Sequence, residues 1–172
     1  MNGVKLKLTT EEIIEKYADM VYRLAVNEMG NRDDAQDVFQ EVFMRLVRYR
    51  ERISTEEHLK AWLIRVTINC ARKQQTATWR KKVEFLAQED VEHTPDEGSA
   101  NAFTEIENAD SPVVSAVAGL PEKYRTVIYL FYYEEKSVSE IAALLSEKES
   151  TVKSKLHRAR EMLKTKLKGE VT

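Results

Sequence analysis

Ser137-Val-Ser-Glu140-Ile-Ala-Ala-Leu-Leu145-Ser-Glu-Lys148-Glu-Ser-Thr-Val-Lys-Ser-Lys-Leu-His157-Arg-Ala-Arg160-Glu-Met-Leu-Lys164 reads as a short helix, a tight turn and a second, strongly basic helix. Ser137 with Glu140 three residues on forms the reciprocal capping box that satisfies two otherwise orphaned backbone donors. Ile141, Leu144 and Leu145 follow at helical spacing and leave one apolar face. After Ser146-Glu147-Lys148, the residues Val152, Leu156, Ala159 and Leu163 recur every three or four positions and therefore face the core. At about 100° per residue the opposite face carries Ser150, Ser154 and His157 near its centre, with Lys153 and Arg158 on its flanks. Between Lys148 and Lys168 eight Lys or Arg stand against Glu149 and Glu161, a local charge of +6. Such a helix attracts phosphate, although a solvated surface helix is the plainer reading. The short capped helix and the three-residue turn before it favour a helix-turn-helix, whose second helix enters the major groove by its N-terminal half. Small or hydrogen-bonding residues there can approach base edges, while the longer Lys and Arg chains reach the backbone.

Two motifs in this stretch, Ser-Glu-Ile-Ala at 139–142 and Thr-Val-Lys-Ser-Lys-Leu-His-Arg-Ala-Arg at 151–160, resemble the promoter −35 domain of the extracytoplasmic-function (ECF) sigma factors of bacterial RNA polymerase. The resemblance implies that Ser150, Thr151, Lys153, Ser154, Lys155, His157 and Arg158 meet −35 duplex. Where that family usually has a turn Gly this chain has Ser146, and the apolar residue after it is Glu147. Both departures bear on the turn, because Gly tolerates positive φ and Glu does not pack into a core. Lys148 is also a poor N-cap.

A chain of 172 residues suffices for one or two small domains. Hydrophobic content of 42% beside 33% charged residues, with 5 Gly and 3 Pro, points to a helix-rich protein. No stretch approaches 18 uninterrupted apolar residues and the first residues lack an apolar signal core, so the expectation is a cytoplasmic protein without membrane insertion. The one cysteine, Cys70, cannot form an intramolecular disulfide; it reads as a helix residue, with redox sensing as the alternative. No Cys/His spacing suggests zinc, and neither a metal nor a cofactor is expected.

The net charge of −2 hides a block pattern. Residues 1–59 carry 9 basic and 12 acidic groups, Lys60 to Lys82 sum to +7 with no acid, and Val83 to Ser111 sum to −9 with no base. Two basic blocks flanking an acidic connector suggest two separate contacts with nucleic acid. The organisation expected is all-α, with two small helical domains: 1–83, an acidic flexible linker over 84–110, and 111–172 with the helix-turn-helix.

In the N-terminal half a first helix is expected after Thr9 or Thr10, with Ile13, Tyr17, Val21 and Leu24 on one face and Gly30 as an αL cap. A second starts near Asp33 and buries Ala35, Val38, Phe39, Val42, Phe43 and Leu46. Its other face holds Asp34, Asp37, Gln40, Glu41 and Arg45, with no partner evident inside the chain. Ser54 with Glu57 makes another capping box, opening a third helix through Leu59, Trp62, Leu63 and Val66. Three such helices with short joints make a bundle. Residues 30–43 are similar to the ECF family's core-polymerase-binding helix, and Ala61-Trp-Leu-Ile-Arg-Val-Thr-Ile-Asn69 to the start of its −10 helix. The resemblance implies that Asp37, Gln40 and Glu41 meet a coiled coil on the polymerase's largest subunit; from the residues alone the same face could be merely solvated. Gln36 stands where the family usually has Glu, and Lys73 where Asp is common.

The block from Lys60 to Lys82 interleaves Arg65, Arg72, Lys73, Arg80, Lys81 and Lys82 with Asn69, Gln74, Gln75, Thr76, Thr78 and Trp79. That mixture suits a melted strand: cations follow its backbone, amides read splayed base edges, and an aromatic ring stacks on a base for roughly 1–3 kcal/mol. Trp62 is assigned to the core by its spacing from Leu59 and Val66, whereas Trp79 is open to stacking or to core packing. By the family resemblance a loop after this helix captures a flipped −10 base, placed here at Lys73 to Thr78. The acidic stretch after it is a linker by composition; the family's connector threads the RNA exit path, and a simple tether is the other reading. Ser111-Pro112 then starts a helix to Gly119, and Leu120-Pro121 another through Tyr124, Val127, Ile128, Leu130 and Phe131.

His58, His93 and His157 lie in unrelated contexts, and there is no Gly-rich phosphate loop or nucleophile elbow, so nothing requires catalysis. The reading is a sigma factor that docks on core RNA polymerase and directs initiation at promoter DNA, with an anti-sigma factor implied as regulator. A one-component regulator would use the same helix-turn-helix as a dimer on two half-sites, and an RNA-binding adaptor would bind single strands without duplex preference. A promoter band shift separates them: a sigma factor shifts the fragment as one copy and only with core polymerase, a regulator shifts it alone as a dimer.

Overall fold

In the computed structural model, which describes residues 6–88 and 112–170, helix α1 (Thr10–Met29) opens on a capping box in which the Thr9 hydroxyl accepts from Glu12 N–H and Glu12 caps Thr9 N–H in return. It stops at Gly30, whose φ of 77° only a residue without Cβ adopts freely. Helix α2 (Arg32–Tyr49) starts at once under the Asn31 cap, and a 3-10 turn (Arg50–Arg52) follows it. The expected buried faces are those observed, except that Phe39 is only half-buried against the core. Helix α3 (Glu56–Gln88) begins one residue later than the Ser54–Glu57 box would place it: Thr55 accepts from His58 N–H at 3.1 Å. Burial of Ile53 in extended backbone sets the register that puts Thr55 at the cap. Trp62 stacks on Tyr49, ring centroids 5.4 Å apart and planes within 8°, so it flanks the core half-exposed.

Helix α3 continues without a break through Lys73–Thr78 and on to Gln88. The base-capturing loop expected at 73–78 is therefore helix, as are the first five residues assigned to the linker. No Gly or Pro occurs between Gly30 and Pro95, and without a breaker the Ala-, Lys-, Arg- and Gln-rich sequence propagates. The remainder of the expected linker, and the Ser111 cap of the next helix, lie outside the described residues.

The C-terminal half contains α4 (Pro112–Ala118), α5 (Glu122–Ile128), α6 (Val138–Leu145) and α7 (Glu149–Glu170). Between α5 and α6 the chain widens into a π-turn over Tyr129–Tyr133, with Glu134 N–H bonding Tyr129 C=O at 3.2 Å. Periodicity alone did not anticipate this. All described regular structure is helical.

Two cores result. Ile13, Val21, Val38, Val42, Leu46, Leu59 and Leu63 fill the α1–α3 bundle, and Val127, Leu130, Ile141, Leu145, Val152, Leu156 and Ala159 fill the C-terminal unit. Leu24, Ile64 and Ile68 belong to bundle helices yet pack into the second core. The two units thus share a hydrophobic seam along α1 and α3.

Leu63→Ala removes a side chain with no exposure and is expected to cost about 2–5 kcal/mol in urea unfolding. Ser146 ends α6 at φ 54°, ψ 43°, so Ser146→Gly should relieve backbone strain and raise stability by about 1 kcal/mol, read as a higher urea midpoint.

Candidate nucleic-acid interface

The helix-turn-helix forms around two local devices. The Ser137–Glu140 capping box starts α6. Its far end is the left-handed Ser146, which takes the backbone role of a turn glycine. Glu147 Oε1 accepts from Lys155 Nζ at 2.6 Å, so an ion pair closes the turn where an apolar contact would otherwise sit. Lys155, expected at DNA, is accordingly half-buried as a brace of the turn.

Val152, Leu156 and Ala159 are buried and Leu163 half-buried, which turns Ser150, Thr151, Lys153, Ser154, His157 and Arg158 outward to solvent. Arg158 lies beside Tyr124, whose phenol its hydrogen bond, helped by the Lys123 and Arg158 charges, holds below the ordinary tyrosine value. Arg160 donates to Tyr132 Oη at 2.8 Å and lies over the Phe131 and Tyr132 rings, tied to the scaffold.

The unbroken α3 divides the expected −10 residues into two sets. Arg65, Asn69, Arg72, Thr76 and Trp79 stand at i, i+4, i+7, i+11 and i+14, one exposed stripe of a continuous helix, with Lys73 on its flank. Trp79 is 68% exposed, which removes the core-packing reading. Gln74 and Gln75 point the other way. Gln74 Nε2 donates to Asp37 at 3.3 Å and to Asp34 at 3.5 Å, and Gln75 Nε2 to the Glu28 carbonyl at 2.6 Å. These two amides join α3 to the bundle and are already engaged.

On α2 the Asp37–Gln40–Glu41 face does have partners inside the chain. Asp37 meets Gln74, and Glu41 accepts from Arg45 Nε at 2.8 Å, one turn on. The Arg45 guanidinium holds the Glu41 carboxyl below its ordinary range. A single sequence could not reveal the first contact, because it closes across 37 residues of chain. The same face carries two residues the sequence reading passed over, Met44 and Val47, 54% and 63% exposed. The signal was available: both are apolar and both fall off the buried stripe of an amphipathic helix. Cys70 is buried, and that burial raises its thiol pKa, which suits packing and disfavours the redox alternative.

Residues 13–81 match the family model for Sigma-70 region 2, and residues 112–163 that for Sigma-70, region 4. The chain is 30% identical to RNA polymerase sigma factor SigV of Bacillus subtilis, over 97% of this chain and 98% of that one. It is 33% identical to ECF RNA polymerase sigma factor SigL of Mycobacterium tuberculosis, over 90% and 86%. The chain belongs to the ECF family of RNA polymerase sigma factors. Its fold is shared with the sigma factor RpoE of Bartonella quintana, solved with the anti-sigma factor NepR (TM-score 0.65, 21% identity, 92% of this chain and 96% of that one). CnrH, solved with the cytosolic domain of CnrY, is similar at TM-score 0.61 and 20% identity, covering 93% and 88%. No described helix is long and apolar enough to cross a membrane.

Because Trp79 makes no core contact, Trp79→Ala should leave unfolding stability within about 0.5 kcal/mol of the parent. If the exposed ring stacks on a base, affinity for single-stranded promoter DNA in the presence of core polymerase should fall by about 1–3 kcal/mol.

Proposed function

We propose that this sigma factor docks on core RNA polymerase through the outer face of α2, reads −35 duplex with the N-terminal half of α7, and holds the −10 strand along the outer stripe of α3. The observation that carries this is the outward presentation of two separate hydrogen-bonding and cationic stripes on one folded chain: Ser150, Thr151, Lys153, Ser154, His157 and Arg158 on α7, and Arg65, Asn69, Arg72 and Trp79 on α3. A dimeric regulator has no use for the second. Met44 and Val47 give the α2 face an apolar centre beside Asp37, Gln40 and Glu41, the composition of a docking surface. Chemistry then belongs to the polymerase, and the chain works in the cytoplasm beside it as a specificity factor with no catalytic residues of its own. The structural neighbour solved with the anti-sigma factor NepR supports regulation by such a protein.

Run-off transcription with purified core polymerase tests the reading: a discrete start site at a cognate promoter is expected, and none without this chain. Arg158→Ala and Ser154→Ala should lose −35-specific initiation, each mismatched contact costing about 1–3 kcal/mol. Lys164→Ala should weaken binding alike on all sequences and reduce the salt slope of log K by about 1. Unchanged transcription from Arg158→Ala would contradict the assignment of the α7 face.

A further inference from the structure

Glu28, near the end of α1, has no exposure although it is a carboxylic acid. It sits on the seam between the two units, where its Oε1 lies 2.6 Å from Thr126 Oγ1 of α5. Thr126 Oγ1 is also 3.0 Å from the Glu122 carbonyl. A hydroxyl has one proton and cannot satisfy both acceptors. Oε2 of Glu28 is buried without a partner, and the negative charge of Glu122 opposes ionisation of Glu28. One proton on Glu28 resolves this arrangement: the carboxylic acid can donate to one of these oxygens, leaving the Thr126 hydroxyl free to serve the Glu122 carbonyl.

We propose that Glu28 is a proton-dependent latch between the two units: the protonated acid holds the C-terminal unit against the α1–α3 bundle, and its ionisation loosens the seam. The groups that act on it come from α3 and α5. Arg72 of α3 and Arg125 of α5 favour the anion, Glu122 of α5 opposes it, and Gln75 of α3 donates to the Glu28 carbonyl. The ion pair of Lys60 with Glu134, at 3.4 Å, is a second fastening between the same units.

The sign follows from burial. Desolvation, helped by Glu122, raises the Glu28 pKa from 4.5 to about 7 while the units are packed. Packing is therefore fully supported below the exposed-state value and weakens as pH rises to the packed-state value. With one proton linked, the closing constant falls about tenfold per pH unit between pH 5 and 7, then levels off.

Separation has a use that rests on the function proposed above. The −35 and −10 elements lie about 25 base pairs apart, roughly 85 Å of duplex. A compact chain of 172 residues has a radius of gyration of only about 16 Å. The packed arrangement cannot reach both elements, so the seam must part for promoter reading.

The test is energy transfer in the full chain between dyes on Glu51→Cys and Glu161→Cys, both exposed positions, from pH 5 to 8.5. Far-UV circular dichroism monitors helix content in the same samples. Transfer should fall as pH rises toward 7 at constant helicity. Glu28→Gln should keep high transfer at every pH. Glu122→Gln, which removes the facing charge, should flatten the curve. Constant transfer in the parent overturns the latch, as does a Glu28→Gln curve that follows the parent. If Glu28→Gln loses helicity, a Glu122→Gln curve identical to the parent's is decisive against it. Run-off activity without a pH response would sink the latch alone, and a pH response without run-off activity would sink the sigma reading alone.

Discussion

Leu24, Ile64 and Ile68 fix the rest of the molecule. They project from α1 and α3 of the N-terminal bundle but pack among Leu130, Ile141, Leu144 and Leu145 of the C-terminal unit. Each half retains its own apolar interior, so the seam joins two cores without merging them. Burying three aliphatic side chains at about 1.5–3 kcal/mol each is a strong attraction, but the seam also encloses Glu28 and Thr126 and carries the Lys60–Glu134 pair at its edge. Polar groups at an interface are tolerated when they are hydrogen-bonded, and they weaken it when they are not. The result is an association with an adjustable part.

The length of α3 matters as much as its packing. Its first half, through Ala71, is covered on its inner face by the bundle, whereas from Arg72 onward most described side chains are exposed. At 1.5 Å per residue the helix runs about 50 Å, long enough to anchor in one core and still project a basic stripe beyond it. A loop at the same place would leave Arg72 and Trp79 without a common direction. The rod gives them one, and it turns Gln74 and Gln75 back to brace the bundle against Asp34, Asp37 and the Glu28 carbonyl. The common direction of the stripe therefore comes from the absence of helix breakers.

Much of this was legible in the residues. The Thr9 and Ser137 caps, the Gly30 stop and the apolar stripes of α1, α2, α6 and α7 are local signals, and local signals survive in a single sequence. So was the outward face of α7, because burying Val152, Leu156 and Ala159 leaves only one side for Ser154 and Arg158. What could not be read depends on distant residues or on competition between equals. Lys155 looks like another DNA contact until Glu147 is seen beside it. Ser54 and Thr55 are both good caps, and the burial of Ile53 decides between them. The loop expected at 73–78 came from family resemblance rather than from any breaker in the chain, and the continuous helix corrects it. The seam itself, and the engagement of Gln74 and Gln75, are tertiary facts with no periodicity to announce them.

The central claim is that two cationic stripes on one chain engage neighbouring parts of a promoter, one as duplex and one as open strand. Footprinting of the complex between core polymerase, this chain and a cognate promoter tests it most directly, with permanganate, which oxidises only unstacked thymines, beside hydroxyl radical, which reports protected backbone. The account predicts reactive thymines confined to the −10 region and a separate block of backbone protection at −35, both present only when polymerase and this chain are combined. Protection by the chain alone over a two-fold symmetric site, with no reactive thymine, would contradict it.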